Sequence, residues 1–502
     1  MRRKIKKILV ANRGEIALRI IRTARVMGIA TVAVYSEADA RCKHVDAADE
    51  AIPIGAAEAA KSYLDITAIL AAAKKSGADA IHPGYGFLSE RAEFAQACAA
   101  AGIGFIGPSP EAMAAMGDKI GARKIAERCD VPIVPGIETA DTGAAQRFAA
   151  KAGYPIVVKA AAGGGGRGMR VVAESAALDA AIAAAGREAM AAFGDGRLYI
   201  EKYLDHPRHI EIQILGDEHG SVIAMGEREC SIQRRHQKII EESPAPGLSD
   251  KMRAKMADAA IRIARAARYT GAGTIEFLAA GGEFYFLEAN ARIQVEHPLT
   301  EIRFGCDLVR EQIRIAAGEP VSTPEQPRGA AIECRINAEE PEHNFRPAMG
   351  TVLRLNIPAG PGVRFDSHLA SGAEVTAHYD NLLGKLICWG ADREEARLRM
   401  AAALEEFILL GVANNASYLR DIVVSKPFQE AHLSTNFIDE FFAQWRPGAT
   451  EINAALIAAA LASGGVFGNA GAENPPASPS PKRASESPWS TMPGFELLRM
   501  RR

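Results

Sequence analysis

The chain has 502 residues, 48% hydrophobic and 24% charged, an ordinary globular composition long enough for two to four domains with real cores. Its 59 Lys and Arg against 61 Asp and Glu leave a formal net charge of −2, so no overall field recruits nucleic acid or an anionic membrane. The opening "MRRKIKKILVANRG" is basic, but its apolar run of four residues is too short for a signal segment or a membrane span, and the seven cysteines form no C-x-x-C pair; reduced thiols and a cytoplasmic location are expected.

Along the chain, "KILVANRGEIALRIIRTARVMGIATVAVY" predicts strand, tight turn, helix, strand, with Ile16, Ile20, Ala24 and Met27 at helical spacing. The turn carries one glycine, Gly14, and not G-x-G-x-x-G, so it predicts scaffold and not a dinucleotide site. Alternation of apolar strands and helices continues through "ADAIHPGYGFLSE", which implies a parallel sheet covered on both faces and a first α/β domain over residues 1–117. Residues 118–328 mix strand hairpins with helices, an α+β pattern. Within them "RHIEIQIL" alternates, with His209, Glu211 and Gln213 on one face and Ile210, Ile212 and Ile214 on the other. "GDEHG" then turns into a second strand toward "ECSIQRRHQK". Residues 329–447 are a third region, with "GTVLRLNI" and "GKLICWG" as strands and a helix through "REEARLRMAAALEEFILL". In 448–502, "EINAALIAAALAS" predicts one more helix, and "GNAGAENPPASPSPKRASESP" a disordered linker, because it lacks the apolar residues that would offset its ordering entropy. The apolar "WSTMPGFELLRMRR" after the linker is expected to lead into a further module.

"KAAAGGGGRGMRVV", residues 159–172, places five glycines in six positions between strand-like flanks. A Walker loop runs from strand into helix and ends in Gly-Lys-Ser/Thr; this stretch does neither. Gly163, Gly164, Gly165 and Gly166 instead sit at a hairpin tip, where bare N–H groups can fold over an anion such as a polyphosphate. Lys159 ends the entering strand and Lys119 precedes a helix in "AMGDKIGARKIA", two cations that would offset triphosphate charge. Taken alone, such a tip also serves as plain mobile surface.

"GTIEFLAAGGEFYFLEANARIQVEHP" adds two strands joined by a glycine turn, with Glu276 on the first and Glu288 at the end of the second. A loop of three or five residues puts both carboxylates on one face; a four-residue loop puts them on opposite faces. With the Asn290 amide oxygen they form a hard-oxygen set suited to Mg²⁺, against the plainer reading of solvated strand-end acids. Arg292 and Glu296 are four apart, yet Pro298 argues for an irregular loop and not a helical salt bridge. "RRHQK" supplies His236 and Lys238 just past Gln233; His236 alone is a basic hairpin end.

The segments "KAAAGGGGRGMRVV", "IEKYL", "RHIEIQ", "RRHQKIIEE", "EFYFLEANARIQVEHPLTE" and "IECRINAEEP", in this order, closely resemble the biotin carboxylase family of ATP-grasp enzymes. "ILVANRGEIALRIIRTAR" and "HPGYGFLSE" resemble its N-terminal domain, so the likeness covers roughly residues 5–447. The resemblance implies a multi-domain α/β and α+β fold: a Rossmann-like pre-ATP-grasp domain, an ATP-grasp domain with a mobile lid at about 131–204, and a C-terminal α+β domain. It implies ATP-dependent carboxylation of biotin by bicarbonate, the first half-reaction of an acyl-CoA carboxylase. Lys119, Lys159 and the four glycines would hold phosphates, with His236 near them. Glu201, Lys202 and Leu204 would line the adenine hinge, His209 and Gln233 would reach the ribose, and Glu276, Glu288 and Asn290 would hold Mg²⁺ or Mn²⁺. Lys238 and Arg292, with Gln294 and Val295, would bind bicarbonate; Glu296 would be the base; Arg335 would stabilise the biotin enolate, with Tyr85 also in the substrate site.

Ala289 and Ala291 stand where the family commonly has bulkier residues, and Arg346 and Met349 in "FRPAMG" where an apolar residue and often a proline are usual. No Met is followed by the Lys-Met of the biotin acceptor motif, so biotin is expected on a carrier protein or domain, with a carboxyltransferase subunit and a second copy of the chain as further partners. "SESPWSTMPGFELLRMRR" resembles the entry to the domain that follows this module in longer acyl-CoA carboxylase α chains, so a truncated α chain is one expectation. Two rivals are another ATP-grasp ligase, joining a carboxylate to an amine or making carbamoyl phosphate, and a silent ATP-binding scaffold.

Overall fold

The structure is a computed structural model that describes residues 4–117, 119–139, 141–160, 170–193 and 196–448. Met1–Arg446 form one compact unit; of the second, Pro447–Arg502, only Pro447 and Gly448 are described, so the expected helix, linker and tail module lie outside the described residues.

The predicted opening is present. Strands Glu50–Gly55, Ala30–Ser36, Lys7–Val10, Ala80–His82 and Gly104–Phe105 lie side by side, all parallel. Helix Gly14–Val26 crosses between the first two in sequence and buries Ile16, Ile20 and Ala24 against them. Gly14 has φ +65°, a conformation a side chain would strain, which lets the chain pass directly from strand to helix.

The dominant element is an eight-stranded antiparallel sheet. Its strands in spatial order are Glu283–Asn290, Gly271–Ala280, Arg208–Gly216, Val222–Arg234, Gln237–Ser243, Ala330–Asn337, Leu382–Gly390 and Val363–Ser367. One face of the Arg208–Gly216 strand carries Ile210, Ile212 and Ile214, which pack with Met256, Ala260 and Ile263 of helix Asp250–Ala266. The sheet does not stop at the sequence boundary near 328, because Gln237–Ser243 pairs with Ala330–Asn337.

A separate four-stranded sheet, Gly136–Glu138, Leu198–Lys202, Ile156–Ala160 and Arg170–Val172, packs its own small core with helices Thr142–Ala152 and Leu178–Phe193. The antiparallel pairing of Ile156–Ala160 with Arg170–Val172 is the hairpin expected around the glycine run, whose tip lies outside the described residues.

In the third region two expectations need correcting. "GTVLRLNI" is not one strand but two short pieces, Gly350–Thr351 and Arg354–Asn356, paired to different partners, Glu374–Val375 and Ile408–Leu410. The helix expected through "FILL" ends at Glu406, and Ile408–Leu410 is the strand that pairs with Arg354–Asn356. Ile408 is β-branched and the cross-strand ladder offers it a better fit than another helical turn. Ala289 and Ala291 are buried in the core beneath the hairpin, while Arg346 reaches Glu340 at 2.7 Å and Met349 is exposed.

Candidate active site

The polar face of the Arg208–Gly216 strand is as buried as its apolar face: His209, Glu211 and Gln213 are all enclosed. Burying that row requires partners, and neighbouring strands supply them. Arg228, itself fully buried, donates from Nε to Glu211, from Nη1 to Gln213 Oε1 at 2.7 Å and from Nη2 to Gln294 Oε1 at 2.8 Å. Lys238 Nζ bonds three carboxylates, Glu211 at 2.5 Å, Glu296 at 2.8 Å and Glu276 at 3.0 Å. Arg335 Nη2 reaches the second oxygen of Glu296 at 3.0 Å, and its Nε donates to Glu241 Oε1 at 2.6 Å.

Glu296 thus has one cation on each oxygen. Burial works against its charge, but Lys238, Arg335 and Arg228 overturn that and hold its pKa well below the ordinary carboxylate range. The same contest, won by Lys238 and by His209 Nε2 at 2.6 Å, keeps Glu276 ionised. Burial likewise opposes the Lys238 charge, yet the surrounding carboxylates raise its pKa well above that of a free lysine.

Residues 291–296 are irregular, as expected, and Arg292 does not pair with Glu296. Its Nε donates to Glu90 Oε2 at 2.9 Å and its Nη2 to Asn290 Oδ1 at 3.0 Å. A helix begins at once afterwards, His297–Phe304, with Pro298 in its first turn, where a missing N–H removes no helical bond.

Glu276 and Glu288 face each other across the hairpin, by a route outside both of the loop cases considered from the sequence. The turn is two residues, Gly281 and Gly282 at φ +59° and +82°, between the paired Ala280 and Glu283. An even loop would put 276 opposite 287; a register shift between Glu276 and Phe277 inserts one extra residue on the other strand and brings Glu288 opposite instead. Asn290 Nδ2 lies 2.8 Å from Glu276 Oε1. The Asn290 oxygen is turned to Arg292, so the two opposed carboxylates could hold a small divalent cation with Asn290 only once its amide flips.

The other predicted residues are dispersed. Lys159 and Glu201 pair at 2.6 Å on the small sheet, Lys202 donates to the Gly153 carbonyl at 2.9 Å, and Leu204 follows that strand half-buried. Gln233 lies opposite Lys238 in the ladder, and His236 is in the connecting turn at φ +65°. Tyr85 OH bonds Glu15 Oε1. Gly163–Gly166 lie outside the described residues, and Lys119 begins helix Lys119–Arg128 with its side chain not described.

Glu90, Glu211, Arg228, Glu241 and Lys385 take part in the site and carried no role in the sequence reading. Arg228 falls in "GERECS", which looks like a solvated charge run; only its position opposite Glu211 distinguishes it. Lys385 is fully buried and bonds the Val295 carbonyl at 2.9 Å and Glu15 Oε1 at 3.1 Å, a contact spanning 90 residues that no local pattern announces.

A glycine hairpin on a small separate sheet and paired acids on a large antiparallel sheet, beside a parallel α/β domain, define an ATP-grasp enzyme. Three family descriptions match: Biotin carboxylase, N-terminal domain, at 4–113; Carbamoyl-phosphate synthase L chain, ATP binding domain, at 118–323; and Biotin carboxylase C-terminal domain at 333–440. The chain is 52% identical over 445 residues to a biotin carboxylase of Nostoc sp., covering 87% of this chain and 99% of that one. It is 47% identical over 444 residues to the human mitochondrial propionyl-CoA carboxylase alpha chain, covering 87% of this chain and 61% of that one. Among solved structures it resembles a biotin carboxylase–beta-gamma-ATP complex from Campylobacter jejuni, with TM-score 0.84, 46% identity and coverage of 87% and 99%. It also resembles the biotin carboxylase domain dimer of Hydrogenobacter thermophilus 2-oxoglutarate carboxylase with MgADP and bicarbonate, with TM-score 0.82, 44% identity and coverage of 87% and 98%. The chain belongs to the biotin carboxylase family.

Proposed function

We propose that the chain carboxylates biotin held on a carrier protein or domain, using ATP and bicarbonate, as the first half-reaction of an acyl-CoA carboxylase. The observation that carries this reading is Glu296 held between Lys238 and Arg335, with Arg292 two residues past Asn290. A basic pair beside a carboxylate suits a small oxyanion that must lose a proton.

Bicarbonate is a poor nucleophile and a far weaker acid than a carboxylic acid. Glu296, made less basic by its cations, needs the proton's own pKa lowered. Lys238 and Arg292 supply that by favouring the more negative form of an anion between them, which Gln294 and the Val295 main chain would orient. The deprotonated oxygen attacks the γ-phosphorus and ADP leaves, giving carboxyphosphate. Its breakdown to CO₂ and phosphate supplies both the electrophile and a base for biotin N1′. Arg335 then offsets charge on the ureido oxygen, with Tyr85 on the same side. Water would hydrolyse the intermediate, which is the reason for a lid at about 131–204.

Glu276 and Glu288 would hold Mg²⁺, or Mn²⁺, with Asn290 after its amide turns to present Oδ1; bound there, the ion neutralises phosphate charge. Lys119, Lys159, the glycines and His236 would face the phosphates; Glu201, Lys202, Leu204, His209 and Gln233 would line the nucleoside. The matched ranges support domains at 1–117, 118–328 and 329–447. Relatives that are subunits or alpha chains of larger carboxylases support a biotin carrier, a carboxyltransferase and a homodimer as partners. Among the described residues no helix is long and apolar enough to cross a membrane; the seven unpaired cysteines favour the cytoplasm.

The test is ATP cleavage by the purified chain. It is expected to require bicarbonate and to rise with free biotin. Cleavage that depends on an amine and ignores biotin would favour the rival ligase, and none at all the scaffold.

A further inference from the structure

Behind Arg335 the large sheet sets two carboxyls against one guanidinium. Glu333 and Arg335 are two apart on Ala330–Asn337 and so share a face, and Glu241 lies directly opposite Glu333 on Gln237–Ser243. Directly opposed residues have Cβ atoms about 4.5–5.5 Å apart. Glu333 and Glu241 are both 0% exposed. Glu241 Oε1 takes the Arg335 Nε bond at 2.6 Å, but Glu241 Oε2 and both oxygens of Glu333 are buried with no donor among the described residues.

The charged groups facing Glu333 from adjoining elements are committed elsewhere. Lys385, on Leu382–Gly390, serves Glu15 and the Val295 carbonyl. Arg335 divides itself between Glu241 and Glu296, and Lys238 is shared by Glu211, Glu276 and Glu296. His297, at the start of the following helix, is kept neutral by its burial and by Lys385. A second buried carboxylate here would have neither cation nor hydrogen-bond donor, an arrangement proteins avoid by protonation. A carboxylic acid, unlike a carboxylate, is a donor, and across the ladder Glu241 Oε2 is the oxygen still lacking one.

We propose that Glu241 and Glu333 share one proton, and that the pair positions Arg335 for its work on biotin. This rests on the reading of Arg335 given above. With the proton in place the pair carries one negative charge, and the guanidinium is divided between it and Glu296. Loss of the proton adds a second charge behind Arg335 and draws it back from Glu296 and the substrate side. Burial raises both carboxyls, Glu333 well above the ordinary range, so the shared proton stays at neutral pH and leaves as pH rises. Glu333 is a positioning residue, since it touches no substrate.

The first test needs no variant. Infrared difference spectra of the full chain between neutral and alkaline pH, without substrates, should show a protonated-carboxyl band that disappears with base; its absence at neutral pH overturns the proposal. Glu333→Gln should lack that band. In kinetics with free biotin, the parent KM should rise about tenfold per pH unit above the pair's titration, and Glu333→Gln should lose that rise. A folded Glu333→Gln protein that keeps the band or the parent's alkaline rise also overturns it. Failure of the parent to respond to biotin at all would instead remove the functional reading, while the infrared result would still decide whether the proton is shared.

Discussion

Lys385 Nζ, with no solvent exposure, donates to the backbone carbonyl of Val295 at 2.9 Å. The same ammonium lies 3.1 Å from Glu15 Oε1, so one cation from the third region ties the irregular loop 291–296 to the first helix of the chain. Lys385→Met should therefore take the cation from the buried Glu15, which keeps only its Tyr85 OH bond, and the donor from the Val295 carbonyl, destabilising the fold by about 1–3 kcal/mol. Urea unfolding measures the loss, and the KM for bicarbonate should rise in whatever fraction remains folded, because the loop that carries Gln294 and Glu296 is released.

Glu296→Gln keeps the shape of the side chain and removes the proposed proton acceptor. The turnover for biotin carboxylation should fall roughly 10²–10⁴-fold, while nucleotide binding, measured by calorimetry with ADP, should stay within a few-fold. Parent-like turnover would assign the base to another group.

Glu288→Gln probes the metal. Glu288 lies opposite Glu276 but outside the Lys238 cluster of bonds, so its replacement disturbs that cluster less than a change at Glu276 would. Magnesium should be required at a concentration at least about tenfold higher for the same ADP affinity, by analogy with the loss seen on removing outer metal contacts. An unchanged magnesium requirement would remove Glu288 from the ligand set.

Asp39 offers a stability test away from the chemistry. Arg13 grips it with Nε at 2.6 Å and Nη2 at 2.7 Å, and Tyr63 OH donates at 2.6 Å. Burial would raise its pKa, but Arg13 and Tyr63 lower it to about 2. A depressed carboxyl stabilises the fold above its unfolded value of about 3.9 and loses that contribution as pH falls through the folded value. Asp39→Asn should cost on the order of 2 kcal/mol near pH 7, and the gap from the parent should close as urea midpoints are taken at successively lower pH.

Local signals read well from the chain. The opening βαβ, the alternation in "RHIEIQIL", the strands flanking the glycine run and the non-helical state of Arg292 to Glu296 all follow from period, turn chemistry and proline, each decided within a few residues. The errors came where a distant partner chose the structure: "FILL" left its helix to pair with Arg354–Asn356. Glu276 and Glu288 came to face each other through a bulge that no loop length could have foretold.

The amino-acid order by itself supplied the chemistry in outline: a glycine hairpin, two strand-borne acids with an amide, two cations near a glutamate, and the motif order that carries the family resemblance. What only the tertiary structure decided is which of these charges answer one another. Arg335 meets Glu296 because Gln237–Ser243 pairs with Ala330–Asn337 across the boundary between regions, and the same register sets Glu241 against Glu333. Arg228 and Lys385, both without solvent exposure, take their partners from strands and loops far away in the chain. Side-chain periodicity is a short-range property of the backbone, whereas ladder register and the pairing of buried charges are settled by the free energy of the whole packed sheet, in which an unpartnered ion is too costly to keep.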